Sequence, residues 1–166
     1  LEFVLDHVGQ LFARAPSCRR DGVVANATAL ASTWTHQGTV PALTSRDMFS
    51  SLVVSREGVV FAGNYNPFNA PGTNAVKASF NFGRTWVDRA AGLCNFSVFG
   101  ASTAPVGCAV FHLVADPVRP HTLYAATLNG VFWTQDNGVS WRLFGTQLPI
   151  SCPAVFLYIY PSGASM

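Results

Sequence analysis

A short polar pattern that occurs twice constrains the fold of this chain more than any other feature of its sequence. Residues 79–86 read SFNFGRTW and residues 134–141 read TQDNGVSW. Both copies place a hydroxyl, an Asn or Asp, a glycine, a second hydroxyl and a tryptophan at the same offsets, which indicates a polar turn that the fold needs twice. The residues concerned are Ser79, Asn81, Gly83, Thr85 and Trp86 in one copy and Thr134, Asp136, Gly138, Ser140 and Trp141 in the other.

Most of the remaining chain has the pattern of short strands separated by turns. β-Branched and aromatic runs are bounded by Gly, Pro and Asn, which is typical of an all-β domain. The order before each motif is strand, turn, strand, so two units of the same kind follow one another. The predicted strands cover residues 49–54, 59–62, 76–80, 110–115, 122–126, 130–134, 141–144 and 155–160.

The first residues carry a different pattern. Apolar residues recur at steps of three and four from Leu1 to Arg14, as on one face of a helix that would end near Pro16. The sequence therefore predicts a helical or linking segment over residues 1–16. We expect this segment to dock or link rather than to take part in catalysis.

The composition fits one globular domain and excludes some classes of partner. Of the 166 residues, 49% are hydrophobic and 11% are charged, and the formal net charge is +2. Phosphate binding needs a clustered basic face, so we expect no nucleic-acid partner. No apolar run approaches the roughly 18 residues that cross a bilayer, so we expect no transmembrane segment. Any secretion signal has been removed or lies outside this sequence.

Four cysteines, Cys18, Cys94, Cys108 and Cys152, indicate disulfides in an oxidising compartment. They form no CxxC pair and the four histidines are scattered, so we expect neither a metal site nor a cofactor. A bond between Cys94 and Cys108 would leave Cys18 for Cys152. Three pairings of four cysteines are possible, and the sequence does not choose among them.

Two sequons point to the same compartment. Asn26 and Asn95 each begin an N-x-S/T tripeptide, the acceptor of N-linked glycans on a eukaryotic secretory route. Together with the cysteines, they lead us to expect a secreted or extracytoplasmic protein.

The second motif and the strands before it resemble a blade of the Asp-box, or BNR-repeat, β-propeller superfamily. This superfamily includes sialidases, xyloglucan-cleaving glycosidases, sortilin-type receptors and photosystem-assembly propellers. The resemblance extends from Phe49 to the C-terminus and is strongest between Val110 and Phe144. It rests on the motif at 134–141, the Asp-Pro pair at 116–117, the run LYAAT at 123–127 and GVF at 130–132.

The resemblance implies an all-β fold of four-stranded antiparallel blades with Asp-box turns, in an incomplete propeller or a fragment of one. Such a motif joins the two outer strands of a blade, away from the axis where ligands bind, so its Asp is expected to be structural. We expect Trp86 and Trp141 to be largely buried between adjacent blades. The expected blades span residues 20–48 (degenerate), 49–90 and 108–146, with the start of another at 153–166, all within a partial propeller over 17–166. Leu52, Val54, Leu113, Ala115, Leu123 and Ala125 are expected in inner strands.

Candidate ligand-binding and catalytic residues are few. A glycosidase needs two carboxylates that face one cleft, and with most acids assigned to turns only Asp47 and Asp88 remain as loose catalytic candidates. The polar and aromatic segment 64–74 interrupts one blade, and its side chains suit sugar hydroxyls and sugar faces. Its ligand-binding candidates are Asn64, Tyr65, Asn66, Asn69 and Asn74.

Two functions are compatible with this sequence. The first is a non-catalytic extracytoplasmic module that binds a protein or glycan surface. The second is part of an Asp-box glycoside hydrolase, related to sialidases or xyloglucanases, whose catalytic blades lie elsewhere. About three blades cannot close a propeller, which typically has 4 to 8, so we expect other protein chains or the rest of a longer propeller as partners.

Overall fold

The computed structural model describes residues 48–66, 74–94, 108–145 and 157–159 in full, together with the backbone of four earlier strands. All regular secondary structure in these ranges is β-strand, and residues 157–159 belong to no strand. No helix that could cross a membrane is found in this described part of the chain. The earlier strands are β1 (Glu2–Leu5), β2 (Gln10–Ala15), β3 (Gly22–Thr28) and β4 (Thr35–Val40). The later strands are β5 (Met48–Val54), β6 (Val60–Tyr65), β7 (Val76–Ser79), β8 (Val87–Asp88), β9 (Val110–Ala115), β10 (Leu123–Thr127), β11 (Gly130–Thr134) and β12 (Arg142–Leu143).

The strands form three four-stranded antiparallel sheets, each ordered as in the chain. We refer to them as the N-terminal sheet (β1–β4), the middle sheet (β5–β8) and the C-terminal sheet (β9–β12). The expected all-β class with four-stranded antiparallel sheets is thereby confirmed. Consecutive strands pair because short connections favour antiparallel neighbours.

The predicted N-terminal helix is wrong for the residues that can be described. Glu2–Leu5 and Gln10–Ala15 form an antiparallel pair, in which Val4 lies opposite Phe12 and Leu5 opposite Leu11. Apolar residues three and four positions apart also arise when two short apolar strands flank a turn, so the spacing alone does not identify a helix. Pairing of β2 with β3 then favours the extended form.

The three sheets are arranged in series through their first strands. β1 contacts β5, and β5 in turn contacts β9. Two serine hydroxyls of β5 bridge to β9: Ser50 donates to the carbonyl oxygen of Val110 (2.5 Å), and Ser51 accepts from the amide of Leu113 (3.0 Å). The pairing of β5 with β6 shifts register between Phe49 and Ser51. Such a bulge changes the direction of side chains, which allows the consecutive residues Ser50 and Ser51 both to contact β9.

Apolar side chains fill the space between the middle and C-terminal sheets. Phe61 and Phe132 are the largest fully buried side chains of this cluster, and Leu113 and Leu123 of the C-terminal sheet join them. A smaller cluster on the opposite face of the middle sheet contains Leu52 and Val60. The middle sheet therefore has apolar side chains on both faces, as expected of a sheet packed between two others.

Because consecutive strands run in opposite directions, the connections between them lie alternately at the two ends of each sheet. In the middle sheet, the β5–β6 hairpin and the β7–β8 turn lie at one end, which we call the motif end. The β6–β7 connection and the segment after β8 lie at the opposite end, the loop end. The segment 64–74 and the Cys94–Cys108 bond are therefore at the loop end.

Candidate functional site

The turn that contains Trp141 is built on hydrogen bonds from neighbouring residues to one carboxylate. Oδ1 of Asp136 accepts from the Thr134 hydroxyl (2.6 Å) and from the Ser140 amide (2.9 Å), and Oδ2 accepts from the Ser140 hydroxyl (2.5 Å). The Thr134 hydroxyl also accepts from the Gly138 amide (3.1 Å). Partial burial alone would raise the pKa of Asp136, but these hydrogen bonds hold it below the ordinary value of 3.8.

The turn that contains Trp86 repeats this geometry with an amide in place of the carboxylate. Oδ1 of Asn81 accepts from Ser79 (3.0 Å) and from the Thr85 amide (2.8 Å), while Nδ2 donates to the Thr85 hydroxyl (2.8 Å). The Ser79 hydroxyl accepts from the Gly83 amide (2.7 Å). The hydroxyl side chains and the Asn or Asp of both motifs therefore support their own turns, which join the two outer strands of their sheets.

Both turns need left-handed backbone at two consecutive positions. Gly83 and Gly138 have φ values of 89° and 79°, and the residues before them, Phe82 and Asn137, have 59° and 58°. Glycine adopts this region without strain and Asn tolerates it, whereas Phe does not favour it. The glycine of the motif is therefore explained by backbone conformation.

Trp141 joins the C-terminal sheet to the middle sheet. Its side chain is 4% exposed, its indole N–H donates to the carbonyl of Arg89 (2.6 Å), and its amide donates to the carbonyl of Ala91 (2.9 Å). A Cβ on Gly92 would lie 2.6 Å from the Trp141 carbonyl oxygen, so the segment after β8 fits closely against this tryptophan. The expected burial of Trp141 is confirmed.

Trp86 differs from this expectation. Its indole N–H bonds within its own turn, to the Gly83 carbonyl (3.0 Å), and the ring is half-buried against the cluster around Leu52 and Val60. The motif alone does not place its tryptophan between sheets. A neighbouring segment of the kind provided by Arg89 and Ala91 is also required.

Two of the predicted ligand residues at the loop end are engaged within the fold. Asn64 is 1% exposed; its Oδ1 accepts from the Met48 amide (3.1 Å) and its Nδ2 donates to the Asn74 carbonyl (3.2 Å). Asn74, with φ of 55°, accepts from Lys77 Nζ at its Oδ1 (3.3 Å). Asn66 is 2% exposed. These contacts link β6 to the start of β7.

Tyr65 is the predicted ligand residue with a partly accessible ring. It is half-buried and packs against Phe111 of β9, with ring centroids 5.3 Å apart at 54°. Met48, opposite Tyr65 in the β5–β6 pair, is 58% exposed. Phe111 was not singled out from the sequence, because its place beside Tyr65 depends on how the two sheets pack.

The catalytic candidate Asp88 also supports local structure. Its Oδ2 accepts from the Asn74 amide (2.9 Å) and its Oδ1 from the Ala90 amide (3.1 Å). Asp88 lies opposite Lys77 in the β7–β8 pair. The second candidate, Asp47, lies outside the described residues, as do Asn69, Asn95, Cys18 and Cys152; Asn26 lies within β3.

The other acids described are in hairpins at the motif end. Oδ1 of Asp116 accepts from the amides of Val118 and Arg119 (both 2.9 Å), and its Oδ2 pairs with Arg119 Nε (3.1 Å). Burial would raise the pKa of Asp116, but these bonds and the Arg119 charge lower it. Partial burial would also raise the pKa of Glu57, but hydrogen bonds from Ser55 and from the backbone of Glu57 and His121 together lower it.

His112 of β9 was not identified from the sequence as a contact between sheets. Burial lowers its pKa, while a hydrogen bond with the backbone of Leu157 acts in the opposite direction. Ser51 and His112 hold equivalent positions in their strands, one residue before Leu52 in β5 and one residue before Leu113 in β9. Ser51 in turn contacts the backbone of Leu113 in the neighbouring sheet. Residues 157–159 therefore lie beside β9 in a way that repeats the contact of β9 with β5.

One disulfide occurs among the cysteines that are described. Cys94 and Cys108 are bonded, with Cα atoms 5.5 Å apart, and both are buried beside the main cluster. This is one of the pairings that the sequence left open. No group of three His, Cys, Asp or Glu side chains in the described ranges is arranged to hold a metal ion.

Comparison with known proteins identifies the fold rather than a family. The chain matches no protein-family model and no curated relative. Among solved structures, it is similar to a GH74 enzyme of Niastella koreensis (TM-score 0.53, 17% identity) over 87% of this chain and 22% of that one. It is also similar to the major Malassezia sympodialis allergen Mala s 1 (TM-score 0.50, 15% identity) over 85% of this chain and 39% of that one.

This chain thus spans well under half the length of either structure. At these identities the likeness shows the fold alone. Three four-stranded sheets placed in series through β1, β5 and β9, together with this likeness, give the chain a propeller-like fold.

Proposed function

We propose that this chain is part of a non-catalytic, extracytoplasmic propeller module that binds a protein or glycan surface and assembles with further sheets. One observation carries this proposal. The four carboxylates whose side chains are described, Glu57, Asp88, Asp116 and Asp136, all accept hydrogen bonds from neighbouring groups of the fold. Glycoside hydrolysis needs two carboxyl groups that face one cleft across the scissile bond, and these four serve the backbone instead.

The two motif turns are proposed to be Asp-box turns. Their hydrogen bonds support this assignment, since Asn81 and Asp136 accept from equivalent hydroxyl and amide donors. Both turns connect the outer strands of a sheet at the motif end. In this role the Asp supports the fold, and the protein or glycan surface of this proposal lies elsewhere.

The binding surface is proposed at the loop end. The tilted Tyr65–Phe111 pair spans the middle and C-terminal sheets, and the exposed side chain of Met48 lies beside it. Partly exposed aromatic rings provide flat apolar area at a low entropy cost. The hydrogen bonds of Asn64 and Asn74 stabilise the ends of the 64–74 segment next to this pair.

Assembly with further sheets is supported by the series of first strands. β1 contacts β5, β5 contacts β9, and residues 157–159 lie beside β9 through His112. Leu157–Ile159 is therefore proposed as the first strand of another sheet, supplied by the same polypeptide or by a partner chain. Three sheets alone do not close a ring, since propellers typically have 4 to 8.

An extracytoplasmic location is proposed from the bond between Cys94 and Cys108. Structural disulfides persist in oxidising compartments and are rare where thiols are kept reduced. The bond closes the segment between the middle and C-terminal sheets, so it constrains how the two sheets are joined.

Part of a glycoside hydrolase is the second candidate function. It is favoured by the likeness to the GH74 enzyme, of which this chain covers 22%. In that case the catalytic carboxylates would belong to residues other than Glu57, Asp88, Asp116 and Asp136.

A binding and turnover assay separates the two functions. The secreted chain is screened on a glycan array and incubated with sialosides and β-glucans, and Tyr65→Ala is compared with Phe80→Ala, an exposed aromatic at the motif end. We expect binding that Tyr65→Ala weakens and Phe80→Ala preserves, without hydrolysis. Turnover at ordinary enzyme rates would overturn the non-catalytic function and support the second candidate.

Assembly is tested separately by analytical ultracentrifugation of the 166-residue chain. We expect self-association, or partial unfolding that exposes apolar surface, because the outer sheets lack neighbours. A stable monomer that binds no hydrophobic dye would show that no further sheet is needed.

A further inference from the structure

A small cavity lies at the outer edge of the C-terminal sheet, at the motif end. It has a volume of about 130 Å³ and is bordered by strands β11 and β12 and by the turn between them. Trp133 and Arg142 lie opposite one another in the β11–β12 pair, so their side chains share one face of the sheet. The lining residues are Trp133, Thr134, Gln135, Asp136, Ser140 and Arg142.

The lining combines an aromatic ring with both donors and acceptors. The Trp133 ring is half-buried and makes an edge contact with Phe144, with centroids 6.0 Å apart, which restrains the indole. Gln135 and Arg142 are exposed and supply an amide and a guanidinium. The Asp136 carboxylate completes the set, and its Oδ2 accepts only from the Ser140 hydroxyl among the described contacts.

Comparison with the middle sheet shows which of these residues the turn requires. The Thr134, Asp136 and Ser140 positions are occupied there by Ser79, Asn81 and Thr85, which make the same turn bonds. The Trp133, Gln135 and Arg142 positions are occupied by Ala78, Phe80 and Val87. The three side chains that distinguish the cavity are therefore not needed for the fold of the turn.

The middle sheet also shows which positions of this region stay open when another sheet packs on the same face: Ala78, the counterpart of Trp133, is buried in the cluster between the two sheets, whereas the counterparts of Gln135 and Arg142 are exposed. The C-terminal sheet packs against the middle sheet, yet Phe80 and Val87 are still 52% and 45% exposed. Gln135 and Arg142 hold the corresponding positions, so a further sheet next to the C-terminal sheet would leave them accessible.

We propose that this cavity binds one neutral sugar residue of a glycan chain. A sugar ring presents an apolar face that stacks on an indole, and hydroxyls that bond to amide, guanidinium and carboxylate groups at its edge. The site contains one cation and one anion, which suits a neutral polyol better than an ionic ligand. Its volume is below the roughly 300–1,000 Å³ of pockets that enclose a drug-sized molecule, so it accommodates a single unit of a longer chain.

This cavity is distinct from the loop-end surface of the proposed function, because the two share no lining residue. Its occupancy does not depend on Tyr65 or Phe111. The two sites can therefore be tested independently in the same protein.

The test uses the full chain and three neutral oligosaccharides: cellotetraose, maltotetraose and fully N-acetylated chitotetraose. Binding is measured by saturation-transfer NMR and by titration calorimetry up to about 10 mM sugar, a range suited to weak millimolar binding. The site variants are Arg142→Val and Gln135→Phe, which install the residues of the middle sheet, and Trp133→Phe. The matched controls are Val87→Ala in the middle sheet and Tyr65→Ala at the loop end, and thermal unfolding checks that each variant is folded.

We expect at least one of the sugars to bind, and Arg142→Val to weaken it about tenfold, as the loss of a hydrogen bond to a charged group would. Trp133→Phe should weaken binding less, and Val87→Ala and Tyr65→Ala should leave it unchanged. Absence of binding by all three sugars would overturn the proposal. Binding that is lost in Tyr65→Ala but retained in Arg142→Val would also overturn it, while supporting the loop-end surface.

Discussion

The indole N–H of Trp141 donates a hydrogen bond to the backbone carbonyl of Arg89, 2.6 Å away and 52 residues earlier in the chain. A buried indole requires such a partner, and here the partner belongs to the preceding sheet. The tryptophan therefore contributes both apolar area and a directional bond to the same interface. Its removal should affect the docking of two sheets rather than one turn.

Replacement of Trp141 by Ala is expected to destabilise the chain strongly. Large core aromatics cost about 3 to 5 kcal/mol when truncated to Ala, and the Arg89 carbonyl would lose its donor. The free energy of unfolding is measured by urea titration. Trp86→Ala is the control, and we expect a smaller loss because Trp86 is half-buried and bonded within its own turn. Equal losses would show that the contact between sheets adds nothing.

Gly92 and Gly58 form a matched pair for a test of close packing. Both have left-handed φ, 83° and 79°, so Ala at either position costs about 1–2 kcal/mol of backbone strain. A Cβ on Gly92 would also meet the Trp141 carbonyl oxygen at 2.6 Å, whereas a Cβ on Gly58 meets nothing within 4 Å. We expect Gly92→Ala to lower the melting temperature clearly more than Gly58→Ala. Similar shifts would mean that the segment after β8 moves away without cost.

Asp136 is expected to make the fold sensitive to acid. Its pKa is lower in the folded chain than its ordinary value of 3.8, because hydrogen bonds from Ser140 and Thr134 outweigh the effect of partial burial. Its ionised form therefore stabilises the fold above about pH 3.8, and this contribution is lost as the pH falls through the folded-state pKa. Asp136→Asn, which installs the residue of the other motif, should flatten the stability profile between pH 5 and 3. Circular dichroism at a series of pH values would reveal an unchanged slope if the carboxylate has no such role.

Loss of the Cys94–Cys108 bond should destabilise the chain by about 3 kcal/mol, the value for a loop of about 15 residues; the two cysteines are 14 positions apart. The variant Cys94→Ala/Cys108→Ala is compared with the parent protein by calorimetry, with and without reductant. The parent should lose stability when reduced, whereas the variant should respond less. An unaltered melting temperature of the variant would contradict the structural role of the bond.

The sequence was sufficient to predict the elements that a local pattern specifies. The motif residues define their own turns through contacts within a few positions, as the bonds from Ser140 to Asp136 show, and the short β-branched runs between residues 49 and 144 were correctly interpreted as strands. The N-terminal pattern was misread because a helix and a hairpin can share the spacing of Val4, Leu11 and Phe12.

Contacts between sheets could not be predicted in this way. The bond from the Leu113 amide to Ser51, the packing of Tyr65 against Phe111 and the contact of His112 with Leu157 each join residues far apart in the chain. Nothing local to these residues signals such partners. The engagement of Asn64 was missed for a related reason, since its amide bonds to Met48 on a neighbouring strand.

Neighbouring sheets are held at two different distances from the common line of first strands. Near that line, Ser51 bonds to Leu113; at the far edge, Trp141 bonds to Arg89. Two contacts at different distances from this line determine the angle between the two sheets. A ring of such sheets closes only when the angles between neighbouring sheets add up to a full turn. We expect a bulkier residue at Gly92 to open this angle, because its Cβ would meet the Trp141 carbonyl oxygen, and a wider angle would let fewer such sheets complete a ring.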